Sequence, residues 1–389
     1  MKLFTPERVI FEPSSLEYPL GRKLYDYFQN CDIEIIKASR RNVSRAIPGT
    51  TASSKYAHSK KTLVMTTMKG TKLDTCKPSA DFEFSLISNC PGNCEYCYLQ
   101  TTQGSKPYIK VFVNLEDIFN IIKQHIINST VNNTADDTPD STIKNPTNGI
   151  TNNTINNTVS NSTNGITSNA INSTKNNSNI VTFEVASLGD PLALEHLTGS
   201  LAKTIEFFGN LENARLRVVT KFNNIDSMLW LKHNGHTRFR ISLNSKYVID
   251  NFEHNTANLD ERIEAALKLS RADYPIGFII APIMVYENWK EGYIELFDKL
   301  KQKLGHESVK QNLTFELIQH RFTATAKKMI VERFPRTRLD MDETHRTLKW
   351  GRYGRFKYVY PKELANEIKS FISSLINERF PDAIIEYFT

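Results

Sequence analysis

No apolar run in this 389-residue sequence approaches the roughly 18 residues that a membrane-spanning helix needs. No spanning helix is therefore expected. The opening residues, MKLFTPERVIFEPSS, hold no continuous apolar stretch, because Glu7 and Glu12 interrupt them. A signal peptide is not expected either. Cysteine is scarce and odd in number: five in all, three of them within eight residues, with Cys31 and Cys76 apart. That excludes a secreted disulfide scaffold and points to a reducing cytoplasm. Neither charge sign dominates. The net charge of +7 is compatible with a polyanionic partner but does not identify one. With 40% apolar residues, a chain this long can bury one large core or two.

From Asn128 to Asn179 aromatics are almost missing, and Asn, Thr, Ser and Ile fill the sequence. Such a stretch cannot bury enough surface to fold alone, so a disordered insertion is expected. Two copies of Thr-Asn-Gly-Ile-Thr, at Thr147–Thr151 and Thr163–Thr167, are too irregular for a solenoid. Its Asn-x-Ser/Thr sequons follow from composition when no leader precedes them.

Elsewhere strand-like and helix-like segments alternate. The strand-like runs are Thr62–Met68, Phe82–Ser88, Tyr108–Asn114, Ile180–Ala186, Arg215–Lys221, Thr237–Asn244, Ile276–Val285 and Leu313–His320. Helical spacing marks Leu115–Ile127, with Asn114 as its expected N-cap, and Leu192–Phe208, Leu259–Ser270 and Glu287–Leu304. This alternation predicts an α/β fold with a parallel sheet or barrel, its chemistry at the carboxyl ends of the strands.

Cys90, Cys94 and Cys97 follow a strand-like run in a Pro-Gly loop, spaced C-x3-C-x2-C. Structural zinc wants four ligands, yet no His lies near and no second Cys pair follows. Three thiolates on one short loop can instead hold three corners of a [4Fe–4S] cluster and leave one iron open. With Tyr96 before the last cysteine, the loop resembles the signature of the radical S-adenosylmethionine superfamily. Ser187-Leu-Gly189-Asp190-Pro191 resembles that superfamily's Gly-Gly-Glu-Pro segment, which holds the methionine amino group; it is also a plain strand-to-helix turn.

The run CPGNCEYCYLQTTQGS at Cys90–Ser105 is similar to the cluster loop of the spore photoproduct lyase family. So are Ile47-Pro-Gly, Lys77-Pro-Ser-Ala, Lys106-Pro-Tyr, His233-Asn-Gly-His-Thr-Arg-Phe-Arg, Leu313-Thr-Phe-Glu-Leu-Ile-Gln-His-Arg-Phe, Lys349-Trp-Gly-Arg-Tyr-Gly and Tyr387-Phe-Thr. The resemblance spans the chain apart from the Asn-rich segment. It implies a partial (β/α)6 TIM-type barrel over 81–127 and 180–330. An N-terminal α/β extension over 1–80, the insertion over 128–179 and a substrate-contacting region over 331–389 complete the chain.

The resemblance also implies a cofactor, a substrate and partners. Tyr96, Asp190, Lys221, Ser242 and Ala281 would hold S-adenosylmethionine, and Tyr98 and Tyr96 would relay a hydrogen atom. A 5′-deoxyadenosyl radical would reverse 5-thyminyl-5,6-dihydrothymine in UV-damaged DNA, with a flavodoxin- or ferredoxin-type protein as electron donor. Arg352 and Tyr353 match lesion contacts. They lie where cations and aromatics interleave, as suits phosphates and stacked bases, although an exposed strand would give a similar alternation.

One match fails. Where the family has its hydrogen-donating cysteine, this sequence has Ser187. Tyr98, Cys76 or Cys31 would then have to replace it. Otherwise the enzyme acts on another nucleotide-like or small substrate, or the chain is a non-enzymatic Fe–S protein that binds DNA.

Overall fold

The structure is a computed structural model, and it describes residues 2–102, 107–135, 180–305, 313–351 and 356–389. Seven parallel strands form its larger sheet. Their spatial order is Ile384–Phe388, Thr314–Gln319, Ile276–Ile283, Thr237–Leu243, Ala214–Thr220, Val181–Glu184 and Phe82–Glu83. The last six run in reverse chain order as an open half-barrel, and the C-terminal strand adds a seventh at the edge. Helices such as Ser200–Gly209, Leu259–Arg271 and Trp289–Leu304 return the chain between them.

Each strand turns alternate residues to opposite sides. In Ala214–Thr220 the burial alternates residue by residue, with Ala214, Leu216 and Val218 in the core beneath the helices. Arg215, Arg217, Val219 and, one step beyond the strand, Lys221 share the inner face. By the same parity Arg238, Arg240 and Ser242 face inward, as do Gly277, Ile279 and Ala281. The lower interior is filled by ion pairs rather than by aliphatic layers. Arg240 pairs with Glu316 at 2.8 Å and Glu184 at 2.7 Å, and Arg217 reaches Glu316 at 2.7 Å. The space above this plug lies at the carboxyl ends of the strands.

A second sheet orders Glu34–Lys37, Arg8–Phe11, Thr62–Thr66 and Ile109–Phe112 in parallel, with Ile87–Ser88 antiparallel at its edge. The single strand expected over Phe82–Ser88 is thus two. Phe82–Glu83 joins the barrel. Phe84 N–H still donates to Glu184 at 2.9 Å, whereas the Leu86 carbonyl accepts from Phe112 N–H at 2.9 Å. One apolar run serves two sheets, and Phe84 and Leu86 lie in the core between them.

Other expectations shift for local reasons. The helix expected over Leu192–Phe208 breaks at Gly199, whose φ of 62° is left-handed. Glu195 makes the break stable, because its carboxylate accepts from the N–H groups of Leu201 (2.8 Å) and Ala202 (3.0 Å) at the start of Ser200–Gly209. Asn114 does precede a helix, but its side-chain amide pairs with the backbone of Met68 at 2.8 and 3.1 Å. That helix runs from Leu115 to Ala135, past the expected end at Ile127 and into the segment expected to be disordered. The rest of that segment, 136–179, lies outside the described residues. Among the described residues no helix is long and apolar enough to cross a membrane.

Candidate cluster and cofactor site

The cysteine loop leaves the edge strand Ile87–Ser88 through Asn89, whose φ of 66° turns the chain sharply. Asn89 N–H donates to the Leu188 carbonyl at 2.6 Å, and its side chain donates to Tyr108 O at 2.9 Å. Cys94 pairs with Glu253, and Asn93 with His254, in a two-residue antiparallel bridge. The loop is therefore held from both sheets. A cavity of about 160 Å³ opens beside it, lined by Cys90, Cys94 and Cys97 together with Lys60, Asp190 and Lys221. Ser187, Gly189, Val219 and Tyr98 also face it.

The donor set fits a four-iron cluster. Burial pushes the Cys90 thiol up to about 12 and raises Cys94 and Cys97 as well. Sulfurs so placed carry charge only against cations, and irons supply that. Gly92 leaves the room: a Cβ there would stand 3.1 Å from Cys90 Sγ and 3.2 Å from Thr256. Gly92 N–H donates to Cys90 Sγ at 3.2 Å, a contact that stabilises thiolate. Among the described residues no three His, Cys, Asp or Glu side chains converge on a single ion. A cubane asks for something else, since each thiolate takes its own iron.

Asp190 reaches the cavity from the turn after Val181–Glu184. Its carboxylate accepts from Thr220 Oγ at 2.8 Å and Lys221 N–H at 2.9 Å. Burial nonetheless lifts it to about 6. Gly189 allows the approach, because a Cβ there would lie 2.3 Å from the Asn89 carbonyl oxygen. Lys221 Nζ donates to Ser242 Oγ at 2.8 Å and to Glu253 at 2.9 Å. Tyr96 also donates its hydroxyl to Glu253, and Arg262 pairs with that carboxylate at 2.6 Å. Burial alone would raise Glu253; the Arg262 and Lys221 cations outweigh it and hold Glu253 down at about 2.

Three of the residues expected around the cofactor, Tyr96, Lys221 and Ser242, are thus one hydrogen-bonded group. Asp190 joins it through the backbone of Lys221. Ala281 lies on the same inner face but outside the cavity lining. Ser187 Oγ is buried beside the Glu83 carboxylate without a well-formed hydrogen bond. Arg352 and Tyr353 lie outside the described residues, between the hairpin strands Thr347–Trp350 and Phe356–Val359. Those strands expose Leu348, Trp350 and Phe356, and Lys357 lies near the cations of Arg321 and Lys349.

Lys60, Glu253, Thr220 and Arg333 line or order this site without a sequence signal. Lys60 ends an N-terminal helix and Glu253 sits in a two-residue strand. Only Thr220, adjacent to Lys221 at a strand end, could have been suspected. Burial lowers the Lys60 ammonium, and the neighbouring cysteine sulfurs offset only part of that.

A family model described as spore photoproduct lyase matches residues 4–143 and 155–389. Spore photoproduct lyase of Geobacillus sp. (strain Y412MC61) is 42% identical over 389 residues, covering 100% of both chains. That of Bacillus subtilis (strain 168) is 42% identical over 386 residues, covering 99% of each, and that of Clostridium acetobutylicum 38% over 380, covering 98% of each. A solved spore photoproduct lyase complexed with dinucleoside spore photoproduct superposes with a TM-score of 0.85 at 42% identity over 100% of both chains. A doubly substituted variant with AdoMet and the same dinucleoside bound matches equally well, with a TM-score of 0.85, 42% identity and 100% coverage of both chains.

Proposed function

The chain belongs to the spore photoproduct lyase family, and from that premise we propose that it reverses 5-thyminyl-5,6-dihydrothymine in DNA by S-adenosylmethionine radical chemistry. One observation carries the reading: Cys90, Cys94 and Cys97, buried or partly buried, share a cavity with Asp190 and Lys221 at the carboxyl end of a half-barrel. Cys90, Cys94 and Cys97 would hold the [4Fe–4S] cluster. Once bound, cluster and S-adenosylmethionine supply one-electron cleavage of the sulfonium and hence a carbon-centred radical. Asp190, oriented by Thr220, accepts the methionine ammonium, and Lys221 offers its ammonium to the carboxylate. Glu253 keeps Lys221 and Tyr96 in place. Arg352 and Tyr353 are assigned to the lesion. A flavodoxin- or ferredoxin-type protein would supply the electron.

Hydrogen return needs a donor other than Ser187, whose O–H bond is far stronger than a thiol S–H. Cys31 lies beside Glu34–Lys37, the far edge strand of the second sheet. Cys76 is placed better. Its thiol feels the carboxylates of Glu184 and Glu83, and Glu83 is also the neighbour of Ser187. We assign Cys76 as the thiol that gives a hydrogen atom to the thymine radical, leaving a thiyl that the Tyr98 O–H, on the cavity wall, can refill; Tyr98 would in turn recover its hydrogen atom from the 5′-deoxyadenosine that took one from the lesion.

The replacement at Ser187 also favours a second reading, a radical enzyme of this family acting on another substrate. Anaerobically reconstituted full-length protein, dithionite, S-adenosylmethionine and dinucleoside spore photoproduct separate the two. Thymidine release supports repair. Deoxyadenosine without thymidine favours the other substrate, and no deoxyadenosine favours a non-enzymatic DNA-binding protein.

A further inference from the structure

The helix Ala52–Lys60 belongs to the second sheet, yet two of its side chains clasp the cysteine loop. Tyr56 donates its hydroxyl to Asn93 Oδ1 at 2.7 Å. Lys60 Nζ donates to the carbonyls of Cys90 and of Gly92, the latter at 2.7 Å. The two residues are four apart and so share one face of the helix. Thr51 caps its start, accepting from Ser54 N–H at 3.1 Å, which fixes where the face points. Both ends of the Cys90-Pro-Gly92 turn thus hang on one ammonium, which also faces the cavity beside the three sulfurs.

We propose that Lys60 is a positioning residue for the iron–sulfur cluster, holding the Cys90–Gly92 turn and raising the cluster's reduction potential with a fixed positive charge. The proposal rests on the cluster reading above. Reduction adds one electron, and so one negative charge, to a group ringed by thiolates. A cation a few ångströms away in a poorly solvated pocket stabilises the reduced form more than the oxidised one. Lys221 also faces the cavity, but its ammonium donates to Glu253 and Ser242, whereas the carbonyls of the Cys90–Gly92 turn are held by Lys60. Neutral side chains at position 60 should therefore make the cluster harder to reduce.

The test uses full-length wild type and the Lys60→Arg, Lys60→Gln and Lys60→Met variants, each reconstituted anaerobically with iron and sulfide. Iron content and the midpoint of a dithionite titration followed by electron paramagnetic resonance are read without substrate. The arginine variant should stay near the wild-type midpoint. The glutamine and methionine variants should lose at least tenfold in the equilibrium constant for reduction, about 59 mV for one electron. If both neutral variants hold a full cluster at the wild-type midpoint, the proposal is overturned. If they fold but take up no iron while the arginine variant does, the charge is required and the proposal stands. Failure of all three variants would reduce Lys60 to a packing role and overturn it. Wild type that takes up no cluster would sink the cluster reading itself, a separate result.

Discussion

Glu253 shows how much one side chain can organise here. Its carboxylate is buried, and Arg262, Lys221 and Tyr96 all turn to it. Its folded pKa of about 2 lies below the ordinary 4.5, so its contribution is complete above about pH 4.5 and disappears as the pH falls toward 2. The shift corresponds to roughly 3 kcal/mol. Urea unfolding of the apo-protein should therefore weaken over that window, and Glu253→Gln should flatten this part of the profile. The same variant leaves the Arg262 guanidinium buried without its partner, which should cost about 3–5 kcal/mol at neutral pH. Nothing in Asn-Phe-Glu-His announces such a role, because its partners come from three other stretches of chain. Ser187 is the opposite case, legible from one motif by its departure. If Cys76 returns the hydrogen, Cys76→Ala should cut thymidine yield more than tenfold while deoxyadenosine still forms. Adding Ser187→Cys to that variant should restore repair, as product analysis by chromatography would show.

Two elements meet at Gly189, the turn into the barrel's first helices and the turn into the cysteine loop. The 2.3 Å approach of a Cβ to the Asn89 carbonyl leaves no space for a side chain. Gly189→Ala should push Asn89, and with it Cys90, out of place. We expect a loss of about 1–3 kcal/mol in stability, as for overpacking elsewhere, and a lower iron content after reconstitution. Elements of this kind were partly legible. The strand Ile276–Ile283 is almost wholly buried and reads as an apolar run, while Thr237–Leu243 alternates polar with apolar residues, so the extents of both follow from sequence to within a residue or two. The run Phe82–Ser88 did not divide itself, because switching sheets changes no residue type. The break at Gly199 was hidden because Glu195 caps across it from one turn earlier.

The molecule as a whole brings together parts that no local pattern connects. The cavity takes Lys60 from a helix of the N-terminal sheet, Asp190 and Lys221 from the barrel, and Arg333 from the helix Ala324–Arg333 that follows the barrel strand Thr314–Gln319. The alternation of strands and helices foretold a parallel sheet, but not the closing of its lower interior by charge. The last strand, Ile384–Phe388, is decisive there. Glu386 pairs with Arg217, and Tyr387 donates to Glu316. The backbone of Thr389 is held by Gln319 at 2.8 Å and Leu317 at 2.9 Å. Removing residues 384–389 would leave Arg217 and Arg240 sharing Glu316 at an opened edge, with the sheet hydrogen bonds of Thr314–Gln319 unmade on that side. A loss of at least about 3 kcal/mol is expected, from broken buried ion pairs and unsatisfied backbone together. Glu386→Gln alone should cost less, because Arg217 keeps Glu316. No residue of this strand lines the cavity beside the cysteine loop, so truncated protein kept folded in the cold should still take up iron. Urea denaturation of both variants, with iron analysis of each, checks whether this plug supports the fold without shaping the site.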